Sequence, residues 1–553
     1  MVRVQQILTI LFSLFAFFLG ANNDKSLEEL FSEIPDEVAA SPKDATHYDQ
    51  LIVRGAYLID GTGAPATGPV DVVVVKDRIV QIRTVGTPGI PINNANRPRI
   101  DSTAKTAREI DAHGKFLMPG FVDSHTHIHG PNKDQSVSAD YIFKLWLGHG
   151  VTSVREVFGS GGESRLLALK ELSERNAITA PRINAYPFFN MPSDGKKALP
   201  PIKTAEDARL RVQNLKKMGA DGIKFMGAPE DILFAALGEA EEVGLKTTMH
   251  HAQLNVVHAN VLDTSAKGLD CMEHWYGLPE ALFVDRIIQD YPSDYLYSNE
   301  QHRFGQAGRL WKQAAKPGSK KWNSTMKTLL ERGFCLSPTF TIYLASRDLM
   351  RAYTAEWHYE YTSPKLWEFY RASREKHGSF FFNWTTEDEV EWKNNYQLWM
   401  QFVNEYKNKG GKVVVGSDTG YIYSLYGFGY IQELELLQEA GFHPLEVIRS
   451  ATKVGAQVLG QEDEIGTIQV GKKADMIIVD ENPLHNLKSL YGTGVPKLNE
   501  QTQKVERVGG VRWTIKDGIV YDAQALLADV KKMVRDEKLE AGMDPLVPLT
   551  VEE

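Results

Sequence analysis

The sequence predicts an α/β architecture: a (β/α)8 TIM barrel with a small β-sandwich domain formed from N- and C-terminal segments. Three observations carry this. From about residue 117 to 460, short apolar runs alternate with amphipathic helical patterns, which is the signature of repeated βα units and a parallel sheet. Eight such runs can be picked out, and eight parallel strands with their crossover helices close a barrel. On either side, short strands with turn signals recur. With 553 residues, 42% hydrophobic and 24% charged, the chain has a globular composition, and two domains suffice because such a barrel takes about 250 residues or more.

In chain order, residues 1–21 come first. Met1-Val2-Arg3 precede an almost wholly apolar stretch from Ile7 to Leu19, then Gly20-Ala21 and the polar Asn22-Asn23-Asp24. A basic start, an apolar stretch and a small-residue exit describe a signal peptide, expected to be removed near Ala21. The alternative is an uncleaved anchor, which would need about 18 to 20 apolar residues. The expectation is an exported protein, periplasmic or secreted, with no stable membrane insertion after cleavage. The formal net charge of -9, from 62 basic and 71 acidic residues, lacks the basic excess of a nucleic-acid binder.

Residues 48–115 form the N-terminal part of the small domain, with YDQLIVRGAYLID and VDVVVVKDRIVQI as strands. Residues 116–460 make the barrel. Its candidate strands are GFVDSHTH, GVTSVREV, RINAYPF, GIKFM, LKTTMHH, LDCMEHW, GFCLSPTF and KVVVGSD. Between them run helices such as TAEDARLRVQNLKKMG, opened by Thr204 as N-cap with acidic residues in the first turn. Insertions interrupt the barrel near 276–323 and 342–409. The second holds Trp357, Trp367, Trp384, Trp392 and Trp399, which either cap a substrate pocket or pack on themselves or on another copy of the chain, so a homo-oligomer stays open. Residues 461–525 return to strands and complete the small domain, and 526–553 form a tail. Cys271 and Cys335 lie in apolar runs and are expected as buried small hydrophobes without chemistry.

The chemistry-bearing residues cluster at the ends of these strands. His125 and His127 are two apart on the first, so both imidazoles point to one face and can share a metal. Lys224, His251, His274 and Asp418 each stand near the C-terminal end of a different strand, where catalytic groups of such barrels gather. His250 competes with its neighbour His251 because adjacent strand residues face opposite ways. Arg155-Glu156 is either a substrate contact or an ion pair. Gly159-Ser160-Gly161-Gly162 lacks the phosphate-loop pattern and reads as a turn, and no G-x-S-x-G elbow supports serine chemistry.

On the DGTG segment, PGFVDSHTH, the GSD strand and GTIQVGKKADMIIVDENPL, the chain resembles the amidohydrolase superfamily, and within it the binuclear prolidase- and imidazolonepropionase-like members. The resemblance implies two divalent metal ions, with zinc the default and manganese, cobalt or iron open. His125, His127 and Asp418 would hold one and His251 and His274 the other. Lys224, in G-A-D-G-I-K, would be carboxylated on its amine and bridge both. The implied reaction is hydrolysis of a C–N bond in a small-molecule amide, dipeptide-like or cyclic amide, by a metal-bridged hydroxide, with Asp418 as the catalytic proton carrier. The alternatives are a mononuclear deaminase, in which Lys224 is structural, and a non-catalytic exported binding protein.

Overall fold

The computed structural model describes residues 25–34, 37–41, 47–130, 135–190, 201–374 and 377–549. The expected leader, 1–21, lies outside them. Eight central strands occur where the apolar runs stand: β1 (Phe121–Thr126), β2 (Val151–Glu156), β3 (Arg182–Ala185), β4 (Gly222–Phe225), β5 (Lys246–Met249), β6 (Cys271–Glu273), β7 (Cys335–Ser337) and β8 (Lys412–Val413). They pair in parallel as two arcs, β1-β2-β3 and β4-β5-β6-β7-β8.

Backbone hydrogen bonds cross between the arcs at both edges. Lys224 N donates to Pro187 O at 3.1 Å and Phe189 N to Lys224 O at 2.9 Å; on the other side Ser124 N donates to Val415 O at 2.7 Å and Asp418 N to His125 O at 2.9 Å. The fold is therefore mixed α/β, with the C-terminal strand ends gathered at one face.

The helices between strands form for local reasons. Ala205–Met218 begins at Thr204, whose side chain accepts from Asp207 N while Asp207 returns the bond, and it ends at Gly219 with φ of 93°, the left-handed close that glycine allows.

The two ends of the chain share one eight-stranded sheet. Its order is 519–522, 511–516, 476–479, 116–119, 50–58, 67–75 and 78–84, with 107–111 also paired to 50–58. Met476 to Val479 run antiparallel to Pro119 to Phe116, so the junction of N- and C-terminal segments is built into the sheet. Val53, Val72, Val74, Leu117, Met476 and Ile478 are among the residues of its own core. Gly120 turns the chain from this sheet into β1; a Cβ there would collide with the Thr152 side chain. The buried Arg182 guanidinium, 2.5 Å from Asp517 and also paired with Asp475, ties β3 to the sheet.

One expectation changes and one open alternative is decided. Cys271 and Cys335 are buried as expected, but they are register partners across β6 and β7 and form a disulfide. Parallel pairing brings together residues 64 apart in sequence, and apolar context alone does not report it. The tryptophans of the second insertion do not line the central cavity. Trp392 and Trp399 instead pack on Trp275, with ring centres 6.0 and 5.8 Å away, and Trp392 stacks on Tyr343 at 5.3 Å. They form the wall behind the cavity lining.

Candidate active site

At the C-terminal ends of the central strands lies a cavity of about 220 Å³. Its floor carries His125, His127, Lys224, His250, His274 and Asp418; its walls carry Phe158, Phe188, Met226, Tyr276, Phe304, Ile342, Tyr343, Tyr421 and Ile422, with Gln253, Arg303 and His377 as further polar groups. A larger cleft of about 370 Å³ opens at the other ends of the strands, lined by Lys246, Asp270, Arg332, Cys335 and Lys412 among others. None of the candidate residues reaches it.

His125 and His127 sit at the end of β1 with their side chains on one face, as period-two alternation requires. Their Nε2 atoms lie 3.4 and 2.9 Å from Asp418 Oδ1, and His274 Nδ1 lies 3.7 Å from Asp418 Oδ2. One ligand atom each from His125, His127 and Asp418 falls within 4.8 Å of the others. Nitrogen and oxygen ligands about 2.0 to 2.2 Å from a common ion stand at such spacings from one another, so this donor set fits a divalent metal.

The surroundings aim these groups. Glu273 Oε2 is 2.7 Å from His125 Nδ1, so the imidazole presents its other nitrogen to Asp418. The opposite carboxylate oxygen of Glu273 is 2.6 Å from Arg155 Nη2 and also accepts from Thr248 Oγ1. Arg155 is thus an ion-pair partner and does not line the cavity; Glu156 accepts from Ile128 N and Gly159 N instead. Asp123 accepts from Ser417 N and Oγ at 2.9 and 2.5 Å, pinning the segment that carries Asp418 to β1.

Four non-glycine residues that line or support the site have left-handed backbones: His274 at φ 58°, Thr339 at 51°, Asp418 at 50° and Ile422 at 49°. Such conformations cost about 1–3 kcal/mol each and persist where the surroundings over-determine them. Here Thr339 Oγ1 holds His274 Nδ1 at 2.6 Å.

Electrostatics follow from burial and neighbours. Burial lowers the Lys224 amine to about 8, against the nearby negative charges of Glu273 and Asp418; among the described residues it has no ion-pair partner. Burial lowers His274 to about 3 and pushes His250 well below the usual imidazole value, so both are neutral imidazoles with lone pairs to give. Burial raises the Asp418 carboxyl, but His125, His127 and His274 outweigh it and hold the group well below the ordinary carboxylate range.

One site expectation is corrected. His250, not His251, faces the cavity, with its ring centre 4.8 Å from that of His274. His251 turns away and pairs through Nε2 with Thr264 Oγ1 at 2.9 Å. The reason is strand parity: Thr248 reaches Glu273 in the interior, and His250 is two residues on. The sequence reading also missed Glu273, Arg303 and His377. Glu273 carried one signal, a carboxylate immediately before a ligand candidate; the other two come from insertions whose path no local pattern reports.

The profile of the amidohydrolase family matches residues 116–520. A dihydroorotase of Anaeromyxobacter sp. (strain K) is 26% identical over 223 residues, 39% of this chain and 45% of that protein, so the chain spans less than half the length of that relative. Among solved structures, a Xaa-Pro dipeptidase with bound methionine has a TM-score of 0.54 at 18% identity, covering 86% of this chain and 100% of that one. Bottromycin amidohydrolase has a TM-score of 0.60 at 17% identity, covering 95% and 98%. At these identities the likeness is one of fold.

Proposed function

Because the chain belongs to the amidohydrolase family, we propose that it is a metal-dependent hydrolase of a C–N bond in a small amide, dipeptide-like or cyclic amide substrate. The observation that carries this is the convergence of His125, His127 and Asp418 within 4.8 Å at the floor of a buried cavity that Lys224, His250 and His274 also line. In this reading the two arcs are parts of one (β/α)8 barrel and the terminal sheet is its β-sandwich companion. His125, His127 and Asp418 would hold one ion, and His250, in the place expected of His251, would hold the second with His274. Lys224, a buried amine with no ion-pair partner among the described residues, would take up carbon dioxide with loss of a proton; the carbamate would offer two oxygens sharing one negative charge, where an ammonium offers none.

When bound, the ions supply Lewis acidity and a water of lowered pKa. Asp418 accepts the proton of the attacking water and delivers it to the leaving nitrogen as the C–N bond breaks. Glu273 keeps His125 in one tautomer and orientation. The aromatic walls exclude bulk water from this exchange. Zinc suits the mixed imidazole and carboxylate set. Export through the Met1–Ala21 leader belongs to the same reading, and the Cys271–Cys335 disulfide supports it, since such bonds persist in oxidising compartments.

The test is elemental mass spectrometry on protein purified with bicarbonate and without chelators, together with a hydrolysis screen over N-acyl amino acids, dipeptides and lactams. About two metal equivalents, lost together in Lys224→Ala, with hydrolysis of at least one amide class, are expected. A second reading rests on the fact that, among the described residues, only His125, His127 and Asp418 converge as a ligand group: a mononuclear deaminase. One equivalent, indifferent to Lys224→Ala, with ammonia released from an aminated heterocycle, would establish it. A protein that binds no metal and hydrolyses nothing in the screen refutes both.

A further inference from the structure

The cavity carries a guanidinium apart from the floor residues. Arg303 enters from Glu300–Ala307, a helix inside the first insertion, and neither the metal reading nor the proton transfer uses it. We propose that Arg303 is the specificity-determining residue that receives a carboxylate of the substrate, which makes the amide hydrolysed here an N-acyl amino acid or dipeptide with a free carboxylate. This deepens the function proposed above and rests on it.

Four observations lead there. First, the Arg303 side chain is 15% exposed, so its charge sits in a largely desolvated wall where an anionic partner counts for more than in water. Secondly, the guanidinium is held but not saturated. Nη2 donates to Glu300 Oε1 at 3.2 Å, the plane lies over the rings of Tyr297 and Phe304 at 5.2 and 4.6 Å, and Nε is buried without a hydrogen-bond partner. A guanidinium has five donors in a planar fork that matches a carboxylate; a fork fixed by two rings and one carboxylate, with a buried donor left over, is preorganised for a second anion.

Thirdly, Glu300 is shared, because its Oε1 is also 2.6 Å from His377 Nδ1. One carboxylate serving two basic side chains leaves that cluster able to take another negative charge. Fourthly, Arg303 lines the same cavity as His250, Tyr276 and Tyr343, so the fork and the metal-ligand candidates address one ligand. The rest of the wall, Phe158, Phe188, Met226, Phe304, Ile342 and Ile422, suits an apolar side group. A cavity of about 220 Å³ is below the range of about 300 Å³ and more that holds drug-sized ligands, in keeping with one or two residues.

The experiment compares wild type, Arg303→Met and Arg303→Lys, all metal-loaded, on N-acetyl amino acids and dipeptides, each beside its C-terminal N-methylamide. We expect wild type to favour the acids at least about tenfold in kcat/KM, the ratio to fall to near one in Arg303→Met, and Arg303→Lys to lie between, since charge-assisted hydrogen bonds discriminate by about 10- to 100-fold. A wild type without acid preference, or an Arg303→Met variant that keeps it, overturns the assignment.

Calorimetry with 3-phenylpropionate and 3-phenylpropanamide is run on the same proteins. If nothing in the panel is hydrolysed, the hydrolase reading fails, and the assignment of Arg303 stands only if Arg303→Met lowers the acid-to-amide affinity ratio about 10- to 100-fold. An unaltered ratio overturns it. Thermal melts of the three proteins identify a variant that is merely unfolded; Arg303→Lys, which keeps charge and stem, then decides by the same ratios.

Discussion

The Nδ1 atom of His125 and the Oε2 atom of Glu273 are 2.7 Å apart in a fully buried pair, and this contact orients an imidazole that reaches Asp418 through its other nitrogen. Carboxylate–histidine pairs of this kind fix the tautomer of a ligand and raise its basicity. Glu273 also neutralises Arg155, 2.6 Å from its other oxygen.

Glu273→Gln keeps the shape and removes the charge. Zinc affinity, measured by chelator competition at fixed pH, is expected to fall about 10- to 100-fold. An affinity equal to that of wild type would mean that Glu273 serves Arg155 alone. The metal-free variant is also expected to melt lower, because Arg155 loses its buried counter-charge.

The Cys271–Cys335 bond closes a loop of 64 residues that contains His274. Constraint of the unfolded chain by such a loop is worth about 4 kcal/mol in the chain-entropy model. A thiol assay on protein denatured without reductant should find no free thiol, and two after reduction. The double variant Cys271→Ala/Cys335→Ala should lose stability of about that size; two titratable thiols in the unreduced protein would contradict the pairing.

Glu433 gives a pH signature away from the metal-ligand candidates. Burial raises its carboxyl to about 8, against the amides of Thr341 and Phe340 that donate to it at 2.7 and 3.0 Å. Between the ordinary carboxyl value of 4.5 and about 8, the folded protein keeps a proton that the unfolded chain has released. The unfolded state therefore binds fewer protons, and stability falls as pH rises through this window, by at most about 1.4 kcal/mol per pH unit. Glu433→Gln retains an acceptor oxygen and cannot ionise. The melting temperature of the variant relative to wild type should climb from pH 5 to pH 8; a constant difference would show that the carboxyl is not held protonated.

Much of this protein can be read along the chain because it depends on short-range rules. Period-two alternation puts His125 and His127 on one face, apolar runs between helical patterns mark the eight central strands, and Thr204 caps its helix through a bond three residues away. These features need no knowledge of what lies across the fold.

The choice between His250 and His251 is of another kind. The strand they follow is buried on most positions of both faces, so hydrophobicity carries no parity, and only the Thr248–Glu273 contact shows which side is interior. Cys271 meets Cys335 through the parallel register of strands far apart in sequence, and Glu273 meets His125 across 148 residues. Arg303 and His377 reach the cavity on two separate insertions that share the Glu300 carboxylate. Residue type and spacing establish which groups are available for chemistry. Their partners are chosen by long-range packing, because a strand's neighbours and a loop's return path are set by the whole core and not by the residues beside them.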